Sequence, residues 1–122
     1  MAAPKSPPIA IDPFPPPERQ ESSIGNHYWD VSRLIDLAKE LPVMDIPMVH
    51  LNFDHVCREL TLREMVGHIK SVLNADLSYP IILDEDGGIM DGRHRIMKAL
   101  MDGERSIKAV RFTRNPPASR VE

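Results

Sequence analysis

Five consecutive residues, Asp91-Gly92-Arg93-His94-Arg95, hold the side chains of this chain best suited to gripping an anion. Each guanidinium can present two parallel N–H donors to a phosphate, and the imidazole can add another. The glycine has no Cβ, so a ligand or a neighbouring strand can come close to the backbone. The aspartate can cap a helix, orient an arginine or hold Mg2+ through water. Position adds to composition. Ile89-Met90 reads as a short strand and Gly92–Met101 as a helix. The first N–H groups of that helix are unpaired and lie at the positive end of its dipole, where an anion meets them directly. Each residue also has a purely structural reading. Asp91 can be an N-cap only, Arg93 and Arg95 can pair with Asp84, Glu85 or Asp86, and His94 can simply pack.

The elements that must position this turn follow from pattern and punctuation. Seven of the twelve prolines fall in the first 17 residues, so residues 1–23 read as a disordered or extended Pro-rich tail, either a solubilising tail or, through PFPPP, a ligand for a protein partner. Val31, Leu34, Ile35, Ala38 and Leu41 share one stripe of a helix capped by Asp30 or Ser32 and closed before Pro42. The run from Val43 to Leu51 is β-type, and Pro47 makes it an edge strand or breaks it. Residues 52–60 have no clear period. Thr61 and Glu64 form a capping box for a helix over 62–75, whose buried stripe is expected to be Leu62, Met65, Val66, Ile69, Val72 and Leu73. Tyr79–Leu83 reads as a strand buried on both faces, and Asp84–Gly88 as a tight turn. The helix from Gly92 turns Ile96, Ala99 and Leu100 inward, and Gly103 closes it. Ser106–Phe112 is a last strand, with Ile107 and Ala109 on one face and Lys108, Val110 and Phe112 on the other. The sum is an α+β fold in one domain over residues 24–114, with a loose tail over 115–122.

Composition bounds the rest. The chain has 122 residues, 27% of them charged and 42% hydrophobic, which suits a single modest core. One cysteine, Cys57, gives neither a disulfide framework nor a CxxC metal pair. The chain lacks an apolar run of membrane-spanning length and a signal-peptide core, so a cytoplasmic protein without membrane attachment is expected. The net charge of −3 hides an asymmetry: residues 91–122 carry eight Lys/Arg against four acids. The basic 105–120 stretch is a candidate DNA-facing surface. The mixture of His50, Asp54, His55 and Cys57 lacks metal-ligand spacing, so no structural zinc is expected. Asp84-Glu85-Asp86 reads as a solvated turn rather than a cation site. Trp29, the only tryptophan, reads as a packing anchor.

The segment IILDEDGGIMDGRHRIMKALMDGERSIKAVRF resembles the core of the ParB/sulfiredoxin-like superfamily. The DGxHRxxAL form common among its ParB-like members is matched by Asp91, Gly92, His94, Arg95, Ala99 and Leu100. The resemblance covers roughly residues 43–112 and is most specific over 79–103. It implies a small mixed sheet packed with about three helices. It also implies nucleotide phosphates held at the turn by Gly92, Arg93, His94 and Arg95, with ATP or CTP as the nucleotide and Mg2+ near Asp91. Sulfiredoxins carry a cysteine nucleophile where this chain has Arg93, which argues against sulfinic acid reduction. The second nucleotide motif of partition proteins is matched only loosely, by Asn52 and Arg58, and a stand-alone single-domain version is expected.

Three functions follow. The first is a nucleotide- or phosphate-binding module. The second is an enzyme on the same site, a phosphotransferase/NTPase or a metal-dependent nuclease. Analogy with the small-molecule kinase of the superfamily makes Asp54, Glu59 and Asp91 its candidate catalytic acids. The third is a non-catalytic DNA- or partner-binding regulator.

Overall fold

Unbroken apolar sequence at Ile81-Ile82-Leu83 requires a strand covered on both sides, and the sheet is built around it. The computed structural model describes residues 6–53 and 59–122. Its described elements are β1 (Glu21–Ile24), β2 (His27–Asp30), α1 (Val31–Ala38), β3 (Met44–Pro47), α2 (Leu62–Leu73), β4 (Ile81–Leu83), β5 (Ile89–Asp91), α3 (Arg93–Met101), β6 (Ser106–Arg111) and β7 (Arg120–Val121). Short 3-10 turns occupy Pro17–Arg19 and Met48–His50. The architecture is α+β, with three α-helices and two small sheets among the described residues.

The larger sheet runs β3-β6-β4-β5. β4 and β6 are parallel, and the β3–β6 and β4–β5 pairs are antiparallel. Pro47 lies on the edge strand β3, opposite Ser106, where its missing N–H costs no ladder bond. Two clusters flank the sheet. Ile81 and Leu83 join Ile96, Ala99, Ile107 and Ala109 on the α3 side. Ile82 joins Trp29, Leu34, Ala38, Val110 and Phe112 on the α1 side. β4 is thus buried on both faces, as its composition predicts. The α1 stripe packs as expected, although Asp30 at its N-cap makes no side-chain cap bond.

Three expectations need correction. The α2 capping box forms, with Glu64 N–H donating to Thr61 Oγ1 over 3.1 Å. The predicted α2 stripe, however, is buried only at Val72. Val72 is 2% exposed, whereas Leu62 is 83%, Ile69 49% and Leu73 60% exposed, and Met65 and Val66 are exposed as well. Period fixes that the residues share a side, but not that a neighbour covers it. In α3, only Ile96 and Ala99 reach the core, and Leu100 is exposed because a helix lying on a sheet buries a narrow stripe.

The third correction concerns the termini. A three-stranded sheet, β1-β2-β7, draws on residues at both predicted tails. Pro17 starts a 3-10 turn, where an absent N–H is harmless, and β1 begins at Glu21, inside the stretch expected to be disordered. At the other end, Arg120 and Val121 pair with Tyr28 and His27. Prolines leading into β7 donate nothing but still accept: Pro116 O takes the Trp29 indole N–H over 2.9 Å, and Pro117 O takes Arg33 Nη1 over 2.7 Å. Trp29 is therefore the buried anchor its sequence context suggests, and it also ties down the C-terminal segment.

Candidate functional site

The turn is made by β5 delivering Asp91 beside Ile82 of β4, after which Gly92 redirects the chain into α3. Gly92 has φ +110°, in the left-handed region that side chains disfavour. A Cβ here would lie 2.5 Å from Ile81 Cγ2 and 2.9 Å from Ile81 Cβ. The close approach that glycine permits is therefore to β4, and it presses the helix start onto the sheet.

Arg95 folds back across the turn. Its Nη2 donates to Asp91 Oδ2 over 3.2 Å, in an ion pair whose side chains are both largely shielded, and lies 3.4 Å from the Pro80 carbonyl. Its Nε is buried without a hydrogen-bond partner among the described residues. Of the open alternatives, the structure selects Asp91 as the group that orients Arg95. Arg93 projects outward, is exposed, and has no hydrogen bond or ion pair with the described residues. No acid stands in the first turn of α3, and no side chain caps it.

His94 is half-buried against α2. Its Nε2 lies 2.8 Å from Nδ1 of His68, so one ring donates and the other accepts. Phe14 stands edge-on to His94, with centroids 4.6 Å apart at 89°, and tilted to His68 at 5.2 Å. Burial is the main cause that pushes the His94 pKa below its ordinary value, and His68 adds to it; Asp91 opposes and Arg95 reinforces. Burial of the ring thus favours the neutral imidazole.

Sequence points to neither Phe14, beyond its place in PFPPP, nor His68 as part of this site. The only local signals are an isolated aromatic among prolines and a polar Gly67-His68 pair on a helix read for its apolar side. The remaining candidates are scattered. Asp54 and Arg58 lie outside the described residues, together with His55 and Cys57. Glu59 is exposed ahead of α2. His50 is exposed, and Asp45 lies on β3 opposite Lys108. Asp84 is buried, not solvated as expected, because Oδ1 accepts the N–H groups of Asp86 and Gly88 at 2.9 and 2.6 Å and closes the hairpin.

Among the described residues, no group of three His, Cys, Asp or Glu side chains converges to hold a metal ion. Asp91 offers one carboxylate, paired with Arg95, and Mg2+ is held by one or two carboxylates together with substrate phosphates. In the basic 105–120 stretch, Arg120 is neutralised by a two-point pair with Glu21 at 2.9 and 3.1 Å while lying over the Tyr28 ring, and Arg111, still charged, donates to the Glu85 carbonyl over 3.2 Å through Nε. A cleft of about 490 Å3, lined by His27, Trp29, Glu85 and Pro116 among others, includes none of the turn residues. No described helix is long and apolar enough to cross a membrane. No protein-family model, curated protein or solved structure matches this chain.

Proposed function

We propose that this protein binds the phosphate groups of a nucleotide at the N-terminal turn of α3. The observation that carries the reading is an electrostatic mismatch. Helix N-termini favour acids, because their free N–H groups and the dipole are positive there. This helix instead begins Arg-His-Arg, without an acid in its first turn and without a side-chain cap. Asp91 offsets Arg95 only. Arg93 and the first backbone N–H groups are left pointing the same sign of charge outward, and a bound phosphate would neutralise both. Local rules are broken most often where function requires it.

Within the reading, roles differ by residue. Arg93 is the clamp, the first N–H groups of α3 are the cradle, and Arg95 with Asp91 fixes the turn. His94 donates from its neutral ring, and an arriving phosphate favours its protonated form. The ParB/sulfiredoxin-like resemblance supports ATP or CTP as the nucleotide. Binding is preferred over a phosphotransferase or nuclease reaction because the described site supplies anion donors, while its one carboxylate is committed to Arg95.

Calorimetric titration with ATP, CTP and GTP, with and without Mg2+, tests the proposal. Binding is expected, and Arg93→Ala should weaken it about ten-fold, the size of one charge-assisted hydrogen bond. Failure to bind at millimolar nucleotide, or an unchanged affinity in Arg93→Ala, overturns it.

A further inference from the structure

We propose that the Pro-rich N-terminal segment is a strap that competes with ligand for His94, so that full binding at the α3 turn requires Phe14 to leave. The proposal rests on the anion-binding reading above and adds a means of regulating that site.

The path of the strap is defined by contacts at both ends. Ala10 O accepts from Arg63 Nη1 of α2 over 2.8 Å. Next, the chain crosses α2 at Gly67, where a Cβ would stand 3.7 Å from Asp12 O and 3.9 Å from Ile11 Cγ2. Phe14 then reaches the seam between α2 and α3 and covers the His68–His94 pair. Beyond it, Pro15 O accepts the Gln20 side-chain amide, and Gln20 O accepts the Val31 N–H over 3.1 Å, tethering the strap to α1. Gly67, without a side chain, lets the proline-stiffened segment lie close against α2.

The hold is nevertheless light. Residues 6–16 form neither helix nor strand, and Phe14 remains 38% exposed. A ring contact of this kind shifts an equilibrium by about two- to ten-fold. Release is local, because the tether at Gln20 stays, and the prolines leave the freed segment extended. The occlusion is selective. Phe14 lies on His94, while Arg93 is exposed. With the strap in place, an anion at the turn meets Arg93 and the backbone, but it reaches the imidazole only after the ring departs. The apparent dissociation constant is then raised above that of the released form, by at most the reciprocal of the fraction of molecules with the strap released.

Two variants of the full chain open the strap by different means. Phe14→Ala removes the ring, and Gly67→Leu fills the space that Ile11 and Asp12 occupy. ATP and CTP affinities are measured for the parent and both variants, together with the His94 ring-proton resonances. Both variants should bind about three- to ten-fold more tightly than the parent. On saturation, the parent's His94 resonances should move toward their positions in Phe14→Ala. Equal or weaker affinity in the two variants overturns the strap and leaves the anion site standing. Absence of binding in all three proteins overturns the anion site and the strap with it.

Discussion

The chemistry of the turn depends on how each residue divides between holding the fold and facing outward. Gly92 belongs to the fold. With φ at +110° and Ile81 2.5 Å from where a Cβ would stand, Gly92→Ala adds both backbone strain and a clash against a fully buried side chain. A loss of about 2–4 kcal/mol is expected from the two effects together, read as a lower urea midpoint with unchanged slope. A loss below about 0.5 kcal/mol would mean that the turn relaxes freely. His94 titrates against the fold. Its native pKa lies below the ordinary value of 6.5, so the unfolded chain binds the proton more readily. The contribution of His94 is full above that value and is lost as pH falls through it toward the lower native pKa. Denaturant unfolding at pH 7.5 and pH 5 should show stability falling with pH, and His94→Gln should flatten that fall. An equal pH slope in the variant would assign the dependence to other groups.

Elements show where sequence pattern stops being informative. The capping box of α2 is a statement about four residues, and it forms as written: Thr61 and Glu64 exchange their bonds. The apolar stripe of the same helix is a statement about a partner, and most of it is exposed. The side of α2 that approaches the N-terminal segment carries Gly67, and its neighbour His68 meets α3 through His94. Paired substitutions separate the two orientations. Val72→Ala should cost about 1–3 kcal/mol as a buried truncation, whereas Leu62→Ala, at 83% exposure, should cost under about 0.5 kcal/mol. The reverse order in thermal unfolding would restore the expected orientation.

At the scale of the whole molecule, β2 closes the structure by pairing with β1 on one side and β7 on the other. Trp29 lies at the centre of this closure, packed with Leu34, Ile82 and Phe112 and bonded to Pro116 O. Trp29→Phe keeps most of the apolar contact but orphans that carbonyl. A cost of about 1–2 kcal/mol is expected, with faster hydrogen exchange at Ser119 and Glu122, whose N–H groups bond to Tyr28 O and Asn26 O. Unchanged exchange there would show that β7 is held by contacts other than the Trp29 indole bond.

The sequence by itself determined the order of elements from α1 to β6, the double burial of Ile81–Leu83, the capping of α2 and the strand-to-helix turn at Gly92, and it narrowed Pro47 to an edge strand or a break. Each follows from rules that act within a few residues: side-chain period, missing donors, caps and positive φ. The tertiary structure alone decided that Arg95 serves Asp91, that His94 faces His68, that Phe14 covers both, and that the C-terminal prolines brace Trp29. These contacts join residues far apart in the chain. Their geometry is fixed only when helices and sheets have settled against one another, and the grip of the turn on an anion depends on that arrangement as much as on its five residues.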